Sequence, residues 1–261
     1  MLRIFLKSLI ALKLYFIYFL LHPFLGREVV VLNYHSVAKD DWAYSVDPDI
    51  FDQQVGFLSR NFNVVSLDKI VDYIEGKINL PTRSVAITFD DGYNVFLTKA
   101  LPILKKYNLP SAIFIIGERS ASAEDVNKET SLLSDSEIKI LSESGVTIGS
   151  HGLTHRSLNK LSPAEIEEEL VESKNKLEKL IGQPVRFLSY PKGKFNQVVI
   201  NLVQKSGYKA AFSIKQGLVQ QPSNKFVIKR VVVDRNQNML IFKTRLTKAV
   251  DWWTKLWQFY H

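Results

Sequence analysis

Four polar clusters in this chain have the residue types that do chemistry: Tyr34-His35, Asp90-Asp91-Gly92, His151-Gly152-Leu153-Thr154-His155 and Pro191-Lys192-Gly193. His151 and His155 are four residues apart. On a helical turn that spacing puts both imidazoles on one side, within reach of one metal ion. Alone, such a pair is more often two ordinary loop or capping histidines. Here, however, three of the chain's five histidines fall within these clusters (positions 22, 35, 151, 155 and 261). Asp90 and Asp91 are adjacent carboxylates, which repel, and burying both needs a cation or strong donors. Alone, Asp-Gly reads as a turn. A divalent metal resolves the tension. One carboxylate with two histidines makes a three-ligand site that keeps room for water and substrate. The second carboxylate then serves as base, and a bound metal can lower the pKa of water from about 15.7 to about 7. The residues therefore point to metal-assisted hydrolysis of an acyl or similar bond. A non-haem iron oxygenase uses the same ligand types, but the adjacent second aspartate disfavours it.

Each cluster begins where an apolar, Val/Ile/Phe-rich run ends. Strand-like runs cover 28–34, 62–66, 84–89, 111–116, 146–150, 185–190, 209–214 and 226–233. Such short apolar runs suit strands buried on both faces. Helix-like runs separate most of them. The clearest covers 163–181, with Ser162 as N-cap, Pro163 at the first position, Glu165 completing a capping box and Gly182 as stop. Ser134 with Glu137 repeats the box, and Asn196 opens a helix that Gly207 closes. About eight strands alternating with helices predict a parallel sheet, in a (β/α) barrel or a distorted relative. In such folds reactive groups come from the carboxyl ends of several strands, where these four clusters fall.

The 261 residues are 46% hydrophobic and 23% charged. That excludes wholesale disorder, a collagen-like fibre and a multi-span transporter. With no cysteine, there is no disulfide, thiolate metal site or Cys nucleophile. The net charge of +8 sits mostly in the tails. Residues 1–26 hold Arg3, Lys7 and Lys13 with no acid, and residues 240–261 hold Lys243, Arg245, Lys248 and Lys255 against Asp251. No basic stripe suggests nucleic acid. Three segments are expected: a hydrophobic, basic membrane anchor over 1–26, one catalytic domain over 27–239, and an amphipathic aromatic and basic helix over 240–261. The apolar run Ile4–Leu25 is interrupted by lysines. It favours an in-plane amphipathic anchor over a membrane span, with a buried core helix as the bland alternative. Leu246, Val250, Trp253, Trp257 and Tyr260 recur at helical spacing. They are expected to form a lipid-facing stripe at a bacterial-type plasma membrane, on either side, or else to pack on the barrel.

The motifs TFDDGY at 88–93, SHGLTH at 150–155 and SYPKG at 189–193, in that order and spacing, resemble those of the polysaccharide deacetylase family, the NodB-homology group of carbohydrate esterase family four. The resemblance covers roughly residues 28–235. VLNYHSV at 31–37 is similar to the start of the branch that deacetylates poly-N-acetylglucosamine. The resemblance implies a distorted (β/α) barrel and a divalent metal, most often Zn2+, with Co2+ or Ni2+ as substitutes. It implies removal of acetyl groups from N-acetylated amino sugars, in a polysaccharide or a lipid-linked glycan. Residue by residue, it implies Asp90 as general base and Asp91, His151 and His155 as metal ligands. Tyr190, Pro191, Lys192 and Gly193 become the wall of the acetyl pocket, with the Lys192 N–H as oxyanion donor. The chain departs from the family at three places. The usual base-orienting arginine aligns with Ser189, leaving Arg230 as the candidate substitute. The later aspartate-tryptophan motif is not recognisable around Val233-Asp234-Arg235. The Leu-x-x-His that supplies the general acid is missing, and His261 is terminal, so the acid role falls to His35. A deformylase of a lipid-linked amino sugar and a catalytically weak carbohydrate-binding or assembly protein are the alternative expectations.

Overall fold

The computed structural model describes residues 2–21, 26–118 and 130–258. In chain order the strands are β1 (29–34), β2 (36–37), β3 (45–46), β4 (63–64), β5 (84–89), β6 (112–115), β7 (147–150), β8 (187–189), β9 (210–212) and β10 (231–232). The helices are α1 (2–21), α2 (48–61), α3 (67–74), α4 (101–106), α5 (135–143), α6 (163–181), α7 (197–205), α8 (239–245) and α9 (249–258).

Eight strands form one curled parallel sheet in the order β10-β1-β5-β6-β7-β8-β9, with β4 alongside β5. A lone bridge between Phe212 and Ile228 ties the far end of the sheet to the segment leading into β10. The result is the distorted (β/α) barrel expected from the alternating pattern. Alternate residues of β1 serve different cores. Val30 and Leu32 join the layer under the helices, while Val29 and Val31 pack with Ala86, Phe114, Phe187 and Phe212. The apolar face of α3, including Ile70 and Val71, belongs to this second cluster. Every residue of β1, β5 and β6 is buried, as strands covered on both faces must be.

Local signals fix the helix ends. Ser162 Oγ accepts from the Glu165 N–H, and Glu165 reaches back to the Ser162 N–H. Gly182 ends α6 in the left-handed conformation, which glycine adopts without a Cβ clash. The same box opens α5 at Ser134, and Asn196 caps α7. The two-residue ribbon β2–β3 was not legible as strand, because its pairs Ser36–Ser45 and Val37–Val46 are too short to leave a period in the sequence.

The carboxyl-terminal tail differs from the lipid-facing expectation. Leu246 and Val250, expected in a lipid-facing stripe, are fully buried in the main core with Phe242. Helical spacing marks which side chains share a face but not what covers it, and here the barrel covers it. The side chains of Trp253, Trp257 and Tyr260 lie outside the described residues. Arg245, expected outside the stripe, is buried and donates to the Val232 carbonyl and to Gln216 Oε1. The amino-terminal run forms α1, and no described helix is long and apolar enough to cross a membrane. Its two bases with described side chains do not make a separate polar face. Lys13 is exposed among apolar side chains, and Lys7 is half-buried.

Truncating a fully buried leucine leaves a cavity and typically costs about 2–5 kcal/mol. Leu246→Ala is therefore expected to lower the unfolding free energy by that order in urea titrations without lipid. A loss below about 1 kcal/mol would show that α8 and α9 are not part of the core.

Candidate metal centre and catalytic pocket

Because the sheet is parallel, all strand carboxyl ends lie at one end of the barrel. The pocket there has a volume of about 470 Å3 and is lined by His35, Asp90, Asp91, His151, His155, Tyr190, Lys192 and Gly193. These are the expected site residues from four separate strand ends, brought together. Pro191 is the exception. It is buried, and its ring lies behind Gly152, where a Cβ would come within 3.1 Å of it.

Asp90 and Asp91 are neighbours in sequence but serve different partners. Asp90 continues β5, its N–H donating to the Tyr34 carbonyl. Asp91 and Gly92 then both take positive φ, 71° and 85°. That turn sends the two carboxylates to different sides and eases the repulsion expected of adjacent acids. Gly92 cannot carry a side chain, since a Cβ would sit 2.9 Å from Ile115 Cδ1.

Asp90 meets Arg230, a fully buried side chain. Arg230 Nη1 donates to Oδ1 at 2.8 Å and Nη2 to Oδ2 at 2.7 Å, a bidentate pair. The remaining donors of the fork reach the Ser213 carbonyl, Thr88 Oγ1 and Ser189 Oγ. Ser189 Oγ donates in turn to Asp90 Oδ2 at 3.0 Å. The arginine thus arrives from the segment leading into β10, while the serine at the usual arginine position joins the same network. Burial alone would push the Asp90 carboxyl up, but the charges of Arg230 and His151 outweigh it and hold it well below the usual carboxylate range.

Asp91 faces the two histidines. Its Oδ1 lies 3.3 Å from His151 Nε2 and 3.5 Å from His155 Nε2. The three ligand atoms all fall within 4.8 Å of one another, and all three residues are buried. His151 Nδ1 is 2.8 Å from the Ser189 carbonyl. A carbonyl can only accept, so Nδ1 carries the proton, and in the neutral ring Nε2 presents a lone pair to the carboxylate. Two lone-pair donors facing each other in a buried site need a cation between them, either a second proton or a metal. Burial lowers the affinity of His151 for a proton, yet the charges of Asp90 and Asp91 more than offset this and hold its pKa above the ordinary histidine value. For Asp91, burial raises the pKa, while the His151 hydrogen bond and the histidine charges bring it below the ordinary value. Two imidazole nitrogens and one carboxylate oxygen, with the second ring nitrogen of His151 fixed by a carbonyl, fit a divalent transition metal.

The histidine loop differs from the helical turn inferred from the spacing. Residues 151–155 are non-helical, and His155 has φ 63°. Its ring still comes to 5.0 Å from that of His151. The loop is held by Glu169, a fully buried carboxylate on α6. Glu169 Oε2 accepts from the N–H groups of Leu153 (2.8 Å) and Thr154 (3.0 Å). Its Oε1 accepts from Thr154 Oγ1 and Arg156 Nε. Sequence reasoning missed Glu169 among the acids of its helix. The available signal was its place on the inward stripe with Ile166, Leu170, Ser173 and Leu177.

His35 follows β1 beside the rings of Trp42 and Tyr44, with centroids 5.8 and 4.9 Å away. Its Nδ1 has no hydrogen-bond partner among the described residues. Burial lowers its pKa, against the opposing charges of Asp91 and Asp90. Trp42 and Tyr44, which sequence reasoning also missed, line the pocket with Ile214. Tyr190 stacks on Phe195 and sends its hydroxyl to the Phe226 carbonyl, so it presents its ring as wall. Lys192 has φ 57°. His261 lies outside the described residues.

A family model described as polysaccharide deacetylase matches residues 77–211, just over half of the chain. A poly-β-1,6-N-acetyl-D-glucosamine N-deacetylase of Staphylococcus aureus is 29% identical over 232 residues, covering 79% of this chain and 79% of its own. A crystal structure of a polysaccharide deacetylase from Bacillus cereus superposes with TM-score 0.70 at 29% identity, covering 85% of this chain and 69% of its own. The structure of IcaB from Ammonifex degensii gives TM-score 0.75 at 23% identity over 85% of this chain and 99% of its own, a likeness of fold.

Glu169 bonds the loop between the two histidines and neither imidazole, so its loss acts on the placement of the histidines. Glu169→Gln keeps the shape but replaces one of two acceptor oxygens by a donor among donors. It is expected to weaken Zn2+ or Co2+ binding in calorimetric titration, while the capping-box control Glu165→Gln leaves it unchanged. Equal affinities in the two variants would show that Glu169 only supports α6.

Proposed function

The chain belongs to the polysaccharide deacetylase family, and on that premise we propose that it hydrolyses the N-acetyl amide of N-acetylglucosamine units in a polysaccharide. The observation that carries this reading is the buried Asp91-His151-His155 group beside a carboxylate, Asp90, kept charged by Arg230. We propose Asp91, His151 and His155 as the ligands of a Zn2+ ion. When bound, the metal supplies Lewis-acid polarisation of the amide carbonyl and of water.

The other steps belong to the chain's own residues. Asp90, fixed at both oxygens, takes the proton of the attacking water. Its low pKa keeps it available as a base across the neutral range. The ring of Tyr190 and the backbone of Lys192 and Gly193 wall the pocket, and we assign the Lys192 N–H to the developing oxyanion. His35 delivers a proton to the leaving nitrogen. An imidazole held below its ordinary pKa is a stronger acid once protonated, which suits a basic amine leaving group.

The name of the Staphylococcus aureus relative speaks for a polymeric N-acetylglucosamine substrate over the formyl group of a lipid-linked sugar. The presence of Asp90, its arginine and all three ligands speaks against a carbohydrate-binding protein without catalysis.

The test is release of acetate from short N-acetylglucosamine oligomers by metal-loaded protein. Asp90→Asn and His35→Ala are each expected to lower kcat by about 10²–10⁴ with metal retained. Asp91→Asn, His151→Ala and His155→Ala are expected to lose metal as well. Unchanged metal content in all three ligand variants would contradict the site, and full turnover in His35→Ala would remove it from the mechanism.

A further inference from the structure

One face of α1 is packed against the domain. Ala11, Leu14 and Tyr18 are buried with Ile241 of α8 and Ala249 of α9. Three hydrogen bonds tie the helix down along its length. Asn238 Nδ2 donates to Ser8 Oγ (2.8 Å), Thr244 Oγ1 to the Ala11 carbonyl (3.3 Å) and Tyr18 Oη to Glu28 Oε2 (3.0 Å). A helix fixed in this way lies along the barrel and does not project from it.

The opposite face is apolar and bare. Among the described residues, seven of the eleven exposed large hydrophobic side chains belong to α1. Phe16, Phe19 and Leu20 are the most open, at 63, 70 and 60%. Contiguous apolar surface of this kind marks an interaction site. We infer that this face of α1 docks in the plane of an anionic lipid surface.

Charge decides between lipid and a second copy of the chain. Residues 1–26 contain Arg3, Lys7 and Lys13 and no acid, and Lys13 is exposed within the apolar face. In a two-fold dimer the same patch meets itself, so Lys13 would approach its own symmetry mate with no carboxylate on the helix to pair it. Anionic headgroups supply that counter-charge, and the apolar side chains enter the acyl boundary. A span is not available, since the inward face is already committed to α8 and α9.

The placement also sets the orientation of the pocket. Ser8 bonds Asn238, four residues after Asp234 of the pocket wall, whereas Tyr18 bonds Glu28, just before β1. The helix therefore runs from the catalytic end of the barrel to the opposite end. Docked by its outer face, it lays the barrel axis along the surface, with the pocket mouth opening beside the lipid. The inference rests on packing and charge and not on the deacetylase reading.

Full-length protein is to be floated with vesicles of phosphatidylcholine, alone or mixed with phosphatidylglycerol. Wild type is expected to float with the anionic vesicles. Phe16→Ser with Phe19→Ser is expected to reduce partitioning at least about tenfold, and Lys13→Glu to weaken binding to the anionic vesicles only. Melting curves and acetate release from soluble oligomers should stay unchanged in these variants, which separates failure of this inference from failure of the catalytic one. Wild type that stays at the bottom of the gradient would overturn the inference, as would a double variant that floats equally well. A wild-type dimer made monomeric by the double variant in sedimentation velocity would assign the face to a second copy instead.

Discussion

The site depends on one buried ion pair. Arg230 and Asp90 meet with both terminal guanidinium nitrogens on both carboxylate oxygens, the arginine fully buried and the aspartate nearly so. Removing two charges from water costs several kcal/mol per ion, and a buried pair seldom repays this as stability. Here the pair acts on protonation. Without Arg230, burial would be opposed only by the charges of His151 and His35, and the Asp90 carboxyl would rise from its low value. The arginine comes from a segment 140 residues away in sequence. It is braced by Ser213, Thr88 and Ser189, so closure of the barrel between β9 and β10 and placement of the Asp90 carboxylate are one event.

The second constraint is backbone strain. Five non-glycine described residues have positive φ, and three of them, Asp91, His155 and Lys192, stand at the site. Each departure from the favoured regions costs energy that the surroundings must hold in place. At Asp91 it turns one carboxylate toward His151 and His155 and leaves the other to Arg230. At His155 it brings the second imidazole back over the first, with Glu169 satisfying the loop amides from behind. Rigid strands thus carry Asp90 and His151, and strained turns add the groups that strands alone cannot aim.

Much of this was legible from residue types and spacing. The parallel barrel followed from apolar runs broken by capped helices, and the capping boxes at Ser134 and Ser162 appear as read. The cluster of Asp90, Asp91, His151 and His155 followed from their places at strand ends. The histidine spacing led to a helical turn where a left-handed loop does the same work, because side-chain proximity does not specify backbone path. Glu169 and Arg245 were hidden because a charge at a helical position reads as solvated until its burial is known. Arg230 could be named from the sequence as a candidate but not placed, since only closure of the sheet brings it to Asp90. In the tails the periodicity was real, but a stripe of Leu246 and Val250 does not say whether lipid or barrel covers it.

The most direct test of the account is the pH dependence of kcat/KM in an Arg230→Met variant, with Arg230→Lys as a milder change and metal content measured in each. With the arginine's charge gone, only the weaker pull of His151 and His35 still opposes burial at Asp90, so its pKa rises. The acid limb of the profile is then expected to move to higher pH by about one unit or more in Arg230→Met, and by less in Arg230→Lys. Metal-loaded Arg230→Met protein whose acid limb coincides with that of the wild type would contradict the claim that the arginine keeps the base charged.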